Sequence, residues 1–490
     1  MSSLPSRRNA LPLSRPDLWA CGVLVAFTLI VRAAWFGDPN ADLDEQLYSL
    51  IGNAMLDGQV AFVDLWDRKP FGLFAVFALA HALFGPGPEA YQLLAAGFSA
   101  AGAVLTYVIA RDLTDRGTAT AAGLLYVVLS AIYGANSGNS EAFFVPMMLA
   151  MAVLLRDPAH PQATGRILAA MLIGGLALQI KYTVLPQCVF VGLWALWGQY
   201  RHRRSPMGIV ALGAVCALLG LLPTALVALG YALAGYWDEF VFANFISFFD
   251  RLPAAGGRMR PDIAAFMVPF AALALVGMRT VWQARPAPVP RTYVFVLLWL
   301  AASLVTVFLP GTVYRYYLVA LVPACVLTSL PFFQPKEPTG FNIPALLPAV
   351  LYLAVMPFQF MATQENRIAT EAFAQAIAPR IDAAAGRCLF IFDGPTALYR
   401  MTDSCIPSRF VYPDHLNNAL ERYALGVSQE GEVARILATR PPVIITADSA
   451  FTPQNPEAMR RVKQALARDY SEIASTTLHK RVVRAWALRN

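Results

Sequence analysis

The sequence predicts an all-α polytopic membrane domain followed by a small α/β domain, and three observations predict it. Of 490 residues, 57% are hydrophobic and only 14% are charged, against about 25% charged in an ordinary soluble domain. The apolar residues gather in repeated runs of about 17–25, the length that crosses a bilayer as a helix. From about residue 361 the composition turns polar, and short strand-like and helix-like stretches alternate.

Runs near residues 18–36, 89–110, 117–134, 141–155, 166–181, 183–198, 207–232, 262–281, 292–310, 316–333 and 342–360 give about eleven expected spans. The basic N-terminus has no convincing A-x-A cleavage site and reads as the flank of a retained first span. Arg7, Arg8, Arg15, Arg111, Arg116, Arg156, Arg166, Arg201, Arg203, Arg204, Arg285, Arg291 and Lys336 then fall on one side of the membrane. Arg68, Lys69, Lys181, Arg251, Arg258, Arg260 and Arg315 fall on the other. The excess of positive charge places the N-terminus in the cytoplasm, and an odd number of spans places the tail outside. PFGLFAVFALAHALFG (70–85) offers about 15 apolar residues, roughly 22 Å of helix, too short for a core of about 30 Å. It is therefore expected as a helix embedded at the outer interface. The division is 1–360 for the membrane domain and 361–490 for the outer α/β domain. Within the tail, CLFIF (388–392), VIITA (443–447) and RVVRAWAL (481–488) read as strands, with helices around 415–425 and 456–468.

The net charge of +7 comes from basic residues scattered between apolar runs. That distribution fits membrane topology and argues against a nucleic-acid partner. Cys21, Cys188, Cys216 and Cys325 sit alone in apolar runs as small core residues. With no C-x-x-C and five dispersed histidines, a zinc site has no support. Cys388 and Cys405 lie close together in the polar tail. An oxidising exterior permits a bridge between them worth about 3 kcal/mol; two free thiols are the alternative.

The chemistry concentrates after the first span. DLDEQLYSLIGNAMLDG (42–58) spaces its apolar residues as a short amphipathic helix on the outer membrane surface, with Gly58 as its stop. Asp42 and Glu45 are spaced as a capping box, so helix capping accounts for both. Asp44 lies in the first turn off the apolar face, where dipole compensation is its structural explanation. In DLWDRKP (64–70), Pro70 suits the first turn of the next helix. That places Arg68 and Lys69 where the helix dipole disfavours cations. A bound anion relieves the conflict; snorkelling toward headgroups is the alternative. Asp67 can cap the helix or orient Lys69. SGNSE (137–141), QIKYT (179–183) and GTVYRYY (311–317) add polar groups at the outer ends of later spans. Lys181 and Arg315 there are either functional charges or interfacial anchors. A carboxylate to take a hydroxyl proton and cations to hold a departing phosphate suit transfer from a lipid-linked phosphate. No nucleotide-binding fingerprint is present for a soluble donor.

These residues give the chain its family resemblance. Asp44-Glu45-x-x-Tyr48, Asp64-x-Trp66-Asp67-x-Lys69-Pro70, Asn139-Ser140-Glu141 and Tyr314-Arg315-Tyr316-Tyr317 resemble the GT-C superfamily of multi-span glycosyltransferases using polyprenyl-phosphate sugars. The nearest likeness is to glycosyltransferase family 39 and the aminoarabinose-transferase-like enzymes, over roughly residues 18–330. The resemblance implies a GT-C fold with two juxtamembrane helices in the first outer loop, and an inverting transfer. Asp44 would be the base on an acceptor hydroxyl, Lys69 the donor-phosphate ligand, and Arg68, Arg315 or Lys181 its assistants. Glu45, Tyr48, Asp67, Asn139, Glu141 and Tyr316 would shape the sugar and acceptor site. The acceptor would be a glycolipid such as lipopolysaccharide, a surface polysaccharide or a protein, reached at the periplasmic face of a bacterial inner membrane. Two positions depart from the aminoarabinose enzymes: Leu47 replaces an arginine and Arg68 replaces a glutamate. Aminoarabinose is therefore not the expected sugar. Asp42-x-Asp44 invites comparison with metal-dependent oligosaccharyltransferases, but the basic residues at hand favour a mechanism with no metal or other cofactor. The competing class, a transporter or flippase of lipid-linked glycans, places charges near the midplane on broken helices; here they cluster at one face.

Overall fold

The computed structural model describes residues 14–157, 163–202, 204–255, 257, 259–284, 289–334 and 343–489. The topology arginines Arg7, Arg8, Arg203, Arg258 and Arg285, with Lys336, lie outside the described residues. The helices run α1 (Arg15–Arg32), α2 (Leu43–Leu56), α3 (Phe71–Phe84), α4 (Pro88–Ala110), α5 (Arg116–Ile132), α6 (Ser140–Leu155), α7 (Ala163–Leu178), α8 (Leu185–Arg201) and α9 (Pro206–Leu233). They continue as α10 (Trp237–Val241), α11 (Ser247–Asp250), α12 (Pro261–Gln283), α13 (Arg291–Phe308), α14 (Val322–Ser329) and α15 (Ile343–Ile377).

All eleven expected spans coincide with helical segments. Among the described residues six helices are long and apolar enough to cross a membrane: Arg15–Trp35, Pro88–Ala110, Pro206–Leu233, Pro261–Gln283, Arg291–Phe308 and Leu346–Arg380. The 316–333 run is not one α-helix. It begins as a 3₁₀ turn at Arg315–Leu321 and restarts as α14, where Pro323 in the first turn needs no N–H partner. The 342–360 run is the first part of the 35-residue α15, so the expected boundary at 360 falls inside a helix.

The chain forms two compact units. The first comprises 1–33, 94–226 and 256–357; the second comprises 34–93, 227–255 and 358–490. The expected 361–490 domain thus packs with the first loop in one unit. The first unit is a helical bundle brought close by small residues, as bundles in lipid are. A Cβ on Gly277 of α12 would lie 1.9 Å from the Thr328 carbonyl oxygen of α14. Arg32, at the end of α1 and buried, donates to Ser99 Oγ at 2.9 Å, to the Ala135 carbonyl at 2.7 Å and to the Ser137 carbonyl. It thereby fixes the loop leading into α6.

In the second unit, α2 begins where Asp42 accepts from the Asp44 and Glu45 N–H groups, and Gly58, at φ +86°, stands just beyond its end. The expected surface helix is instead packed: nine of its 14 residues are buried, including Glu45, Gln46 and Ser49. A Cβ on Gly52 would meet Ala78 N and Phe77 Cβ at 2.8 Å, so α2 and α3 nearly touch backbones there. The 14-residue α3 is about 21 Å long, below a bilayer core.

The tail of this unit holds α16 (Leu398–Met401), α17 (Pro413–Asn417), α18 (Gln429–Ala438) and α19 (Pro456–Asp469) with strands β1 (Phe390–Ile391), β2 (Val443–Ala447), β3 (Tyr470–Leu478) and β4 (Arg481–Leu488). The sheet order is β1-β2-β4-β3, parallel between β1 and β2 and antiparallel elsewhere. Two elements differ from expectation. The helix expected at 415–425 is only α17 and a 3₁₀ turn, because Asn418 turns extended and its side chain caps Leu420 N. The regular helix is α18, capped by Ser428. Strand β3 was hidden by its polar YSEIASTTL sequence. It forms because His479 and Lys480, both at positive φ, close a two-residue hairpin onto the alternately buried β4. Cys388 and Cys405 are disulfide-bonded beside β1, and Cys188, Cys216 and Cys325 are buried free thiols.

Gly52→Val is expected to lower the thermal midpoint of the purified protein in detergent, by about 1–3 kcal/mol of overpacking. An unchanged midpoint would contradict the close α2–α3 approach.

Candidate active site

The capped first turn of α2 presents Asp44, and Tyr48 follows one turn later on the same face. Tyr48 is buried against Phe74 and Phe77 of α3, so its ring position is set by packing. Its hydroxyl donates to Asp44 Oδ2 at 3.1 Å, while Tyr412 from the tail donates to Asp44 Oδ1 at 3.0 Å. Lys69, just before the Pro70 cap of α3, donates to the Tyr48 hydroxyl at 2.7 Å and lies 3.5 Å from Asp44 Oδ2. Burial and the Asp44 charge push the Tyr48 and Tyr412 hydroxyls well above the usual tyrosine range. Both therefore stay protonated as donors. Lys69 to Tyr48 to Asp44 is a chain of donors ending on a carboxylate, with each bond polarising the next. The Asp44 and Lys69 side chains are still about one-fifth exposed, at 21% and 19%.

Arg68 belongs to a different network. Its guanidinium forks onto Glu421, which also accepts from Arg251 Nε at 2.6 Å. The two arginines draw the Glu421 carboxyl down to about 2 against its burial. The expected place for Arg68 on a donor phosphate is thus occupied by a carboxylate of the protein itself. Asp67 is buried, accepts from Arg68 N at 2.6 Å, and is raised by that burial. Trp66 stands between Phe242, Phe410 and His415, and its backbone N–H donates to the Arg409 carbonyl at 2.9 Å. Glu45 is fully buried, with Tyr91 donating to it at 3.3 Å.

The other expected site residues lie in the first unit. Asn139 caps α6 and donates to the Gly134 carbonyl at 2.6 Å. Glu141 is buried in an ion pair with Lys181, whose ammonium lies 3.7 Å from the Tyr317 ring centroid and 5.5 Å from that of Tyr316. The structure thus brings SGNSE, QIKYT and GTVYRYY together, but as a closed cation–carboxylate–aromatic cluster rather than as open phosphate ligands. Arg315 is exposed over the Phe266 ring, at 5.7 Å, and among the described residues no carboxylate pairs with it.

Sequence reasoning missed Tyr412, Glu421 and Arg251. No spacing connects Tyr412 to Asp44 across 368 residues. Glu421 is one of several glutamates in the polar tail, and nothing local sets it apart.

Asp42 caps the first turn of α2, and Asp44 accepts from two phenols with an ammonium 3.5 Å from it. Among the described residues no three of His, Cys, Asp and Glu cluster as ligands would.

The chain combines long apolar helices, a first loop that holds Asp44 and Lys69 together, and a small α/β tail. The family described as dolichyl-phosphate-mannose-protein mannosyltransferase matches residues 68–226. An undecaprenyl phosphate-α-4-amino-4-deoxy-L-arabinose arabinosyl transferase of Pseudomonas fluorescens is 29% identical over 345 residues, 66% of this chain; the match spans 59% of that relative's length. ArnT from Cupriavidus metallidurans in the apo state superimposes with a TM-score of 0.65 at 15% identity, covering 96% of this chain and 98% of that one. Its form bound to undecaprenyl phosphate gives 0.61 at 15% identity, over 96% and 97%. The apo oligosaccharyltransferase of Archaeoglobus fulgidus gives 0.51 at 10% identity, over 88% and 69%. The chain has the fold of these proteins and is similar to glycosyltransferase family 39 and the aminoarabinose-transferase-like proteins.

Burial raises Asp414, beside Thr452 and Asn418, from 3.8 to about 6. A carboxyl raised in the folded state disfavours its own ionisation, so its cost appears as pH rises through about 6 and is relieved as pH falls toward 3.8. Through Asp414 the thermal midpoint of the native protein is expected to rise between pH 7.5 and 5, and Asp414→Asn to flatten that rise. An identical slope in the variant would refute the assignment.

Proposed function

We propose that this protein is an inverting glycosyltransferase that moves a sugar from a polyprenyl-phosphate donor to a hydroxyl of an envelope glycolipid, polysaccharide or protein. The observation that carries the reading is the adjacency of Asp44 and Lys69, 3.5 Å apart on a buried aromatic floor. At rest each neutralises the other. A donor phosphate at Lys69 competes for the ammonium and leaves the carboxylate to an acceptor hydroxyl. The hydroxyl oxygen attacks the anomeric carbon as its proton passes to Asp44; the bond from that carbon to the phosphate oxygen breaks, and the phosphate departs with the electron pair, held by Lys69. Tyr48 and Tyr412 orient the carboxylate through the transfer. The likeness to proteins whose names specify undecaprenyl phosphate supports a lipid-linked donor.

The site is read as periplasmic, in a bacterial inner membrane with a cytoplasmic N-terminus. The distribution of arginines supports this orientation, as does the Cys388–Cys405 bridge, since disulfides persist in oxidising compartments. The mechanism is read as metal-free.

Asp44→Asn is expected to reduce transfer at least about a hundredfold while leaving the thermal midpoint in place. Tyr412→Phe should lower kcat about tenfold, the worth of one hydrogen bond to a charged group, with the donor KM little changed. The assay compares envelope glycolipids and glycoproteins by mass spectrometry with and without the active chain. Near-native turnover in Asp44→Asn would overturn the reading.

Exhaustive dialysis against EDTA is expected to leave transfer intact. Loss of activity restored by magnesium or manganese would replace the metal-free mechanism.

A further inference from the structure

On the other face of α2 lies a cavity of about 100 Å³. An α-helix turns about 100° per residue, which puts Gln46, Ser49 and Leu50 about 170° round from the Asp44–Tyr48 edge. Those three residues line the cavity with Tyr91, Thr396 and Arg400, and neither Asp44, Lys69 nor Tyr412 reaches it. Arg400 is half-buried, and among the described residues no carboxylate pairs with it. Elsewhere in this unit Arg68 and Arg251 meet Glu421, Arg367 meets Glu371, and Arg481 meets Asp393. The negative groups that act on Arg400 from a distance are Asp57 and Asp403, and burial lowers its affinity for its own proton. Burying a guanidinium without an anion is costly.

The rest of the lining is already committed. Gln46 accepts from Ala397 N at 3.0 Å, Ser49 Oγ is 3.0 Å from His81 Nε2, and Tyr91 donates to Glu45. The open donors are the guanidinium fork and the Thr396 hydroxyl, which suit a tetrahedral oxyanion.

We propose that this cavity is a phosphate-binding site, separate from the Asp44–Lys69 site and independent of the reaction proposed there. Its position favours a lipid as the source. Pro88, which lines it, is the first residue of α4, a helix long and apolar enough to cross a membrane, and helix ends of that kind lie at headgroup depth. Leu50, Pro86 and Met401 add apolar lining for the ester carbons of a headgroup.

The test uses the full-length protein, delipidated in detergent and titrated with phosphatidylglycerol, with diacylglycerol lacking the phosphate, or with inorganic phosphate. Bound lipid is read by native mass spectrometry and the thermal midpoint by fluorescence. Phosphatidylglycerol, but not diacylglycerol, is expected to bind and raise the midpoint in the native protein and equally in Lys69→Met. Arg400→Gln should weaken that binding about tenfold, the loss of one bidentate contact. Arg400→Lys keeps the charge without the fork; it serves if the glutamine variant does not fold, and should weaken binding to a lesser degree. An Arg400-dependent response to inorganic phosphate alone would keep the site and overturn the lipid source. A lipid response indifferent to both Arg400 variants, or no response to any phosphate, would overturn the site.

Discussion

The second unit depends on one carboxylate. Glu421 takes Arg68 from the first loop and Arg251 from the segment after α9, so three distant stretches of chain meet at a single buried charge. Neighbouring hydrogen bonds run the same way: backbone Trp66 N to Arg409 O and Leu252 N to Leu420 O, and the Ser247 hydroxyl to Ala424 O. Charges taken out of water are tolerated only with full pairing, and removing one partner of a buried pair typically costs about 3–5 kcal/mol. The triad thus sets where Arg68 sits, and through the next peptide bond where Lys69 can reach. The departure at position 68 is intelligible on these terms, because an arginine there needs an acid, and the tail supplies it.

The aromatic packing completes what the charges begin. Tyr48 is held by Phe74 and Phe77, and Trp66 by Phe242, Phe410 and His415. Burial lowers His415 to about 3, so this ring remains neutral and adds no cation beside Lys69. A π-turn at Phe242–Ile246 brings Phe242 against Gly426, whose φ of +69° and missing side chain let the rings close over the loop. The geometry at Asp44 is therefore set by side chains that themselves have little freedom.

Much of this was legible in the sequence where the pattern was local. Periodicity and the Asp42 cap located α2, and alternation located β4, because both signals depend on neighbours within a few residues. The apolar runs located the helices but not their joints, since a 3₁₀ entry before Pro323 and a helix continuing past residue 360 leave the hydropathy unchanged. What stayed hidden was tertiary. Arg68 and Lys69 are adjacent, equally basic residues, and nothing in the local sequence says that one meets Glu421 and the other Asp44. Lys181 and Glu141 were each legible as charges at membrane depth, but not as partners of one another, because pairing across 40 residues leaves no periodic trace.

The ion pairs at Glu421 and at Asp44 differ in a way that matters for chemistry. Glu421 is 5% exposed and shared between two guanidiniums, so nothing from solution can displace either without leaving a buried charge unmet. Asp44 and Lys69 are 3.5 Å apart and about one-fifth exposed on both sides, with the Tyr48 phenol bridging them and Tyr412 bonded to the carboxylate. Contact with water keeps the effective dielectric high and the pair weak, and the phenols can stay on the carboxylate when the ammonium turns to another anion. One pair is built to persist and the other to exchange. A transferase of the proposed kind needs both: a base whose partner can leave it for a phosphate at each turnover, and a neighbouring pair that keeps the loop in place while it does so.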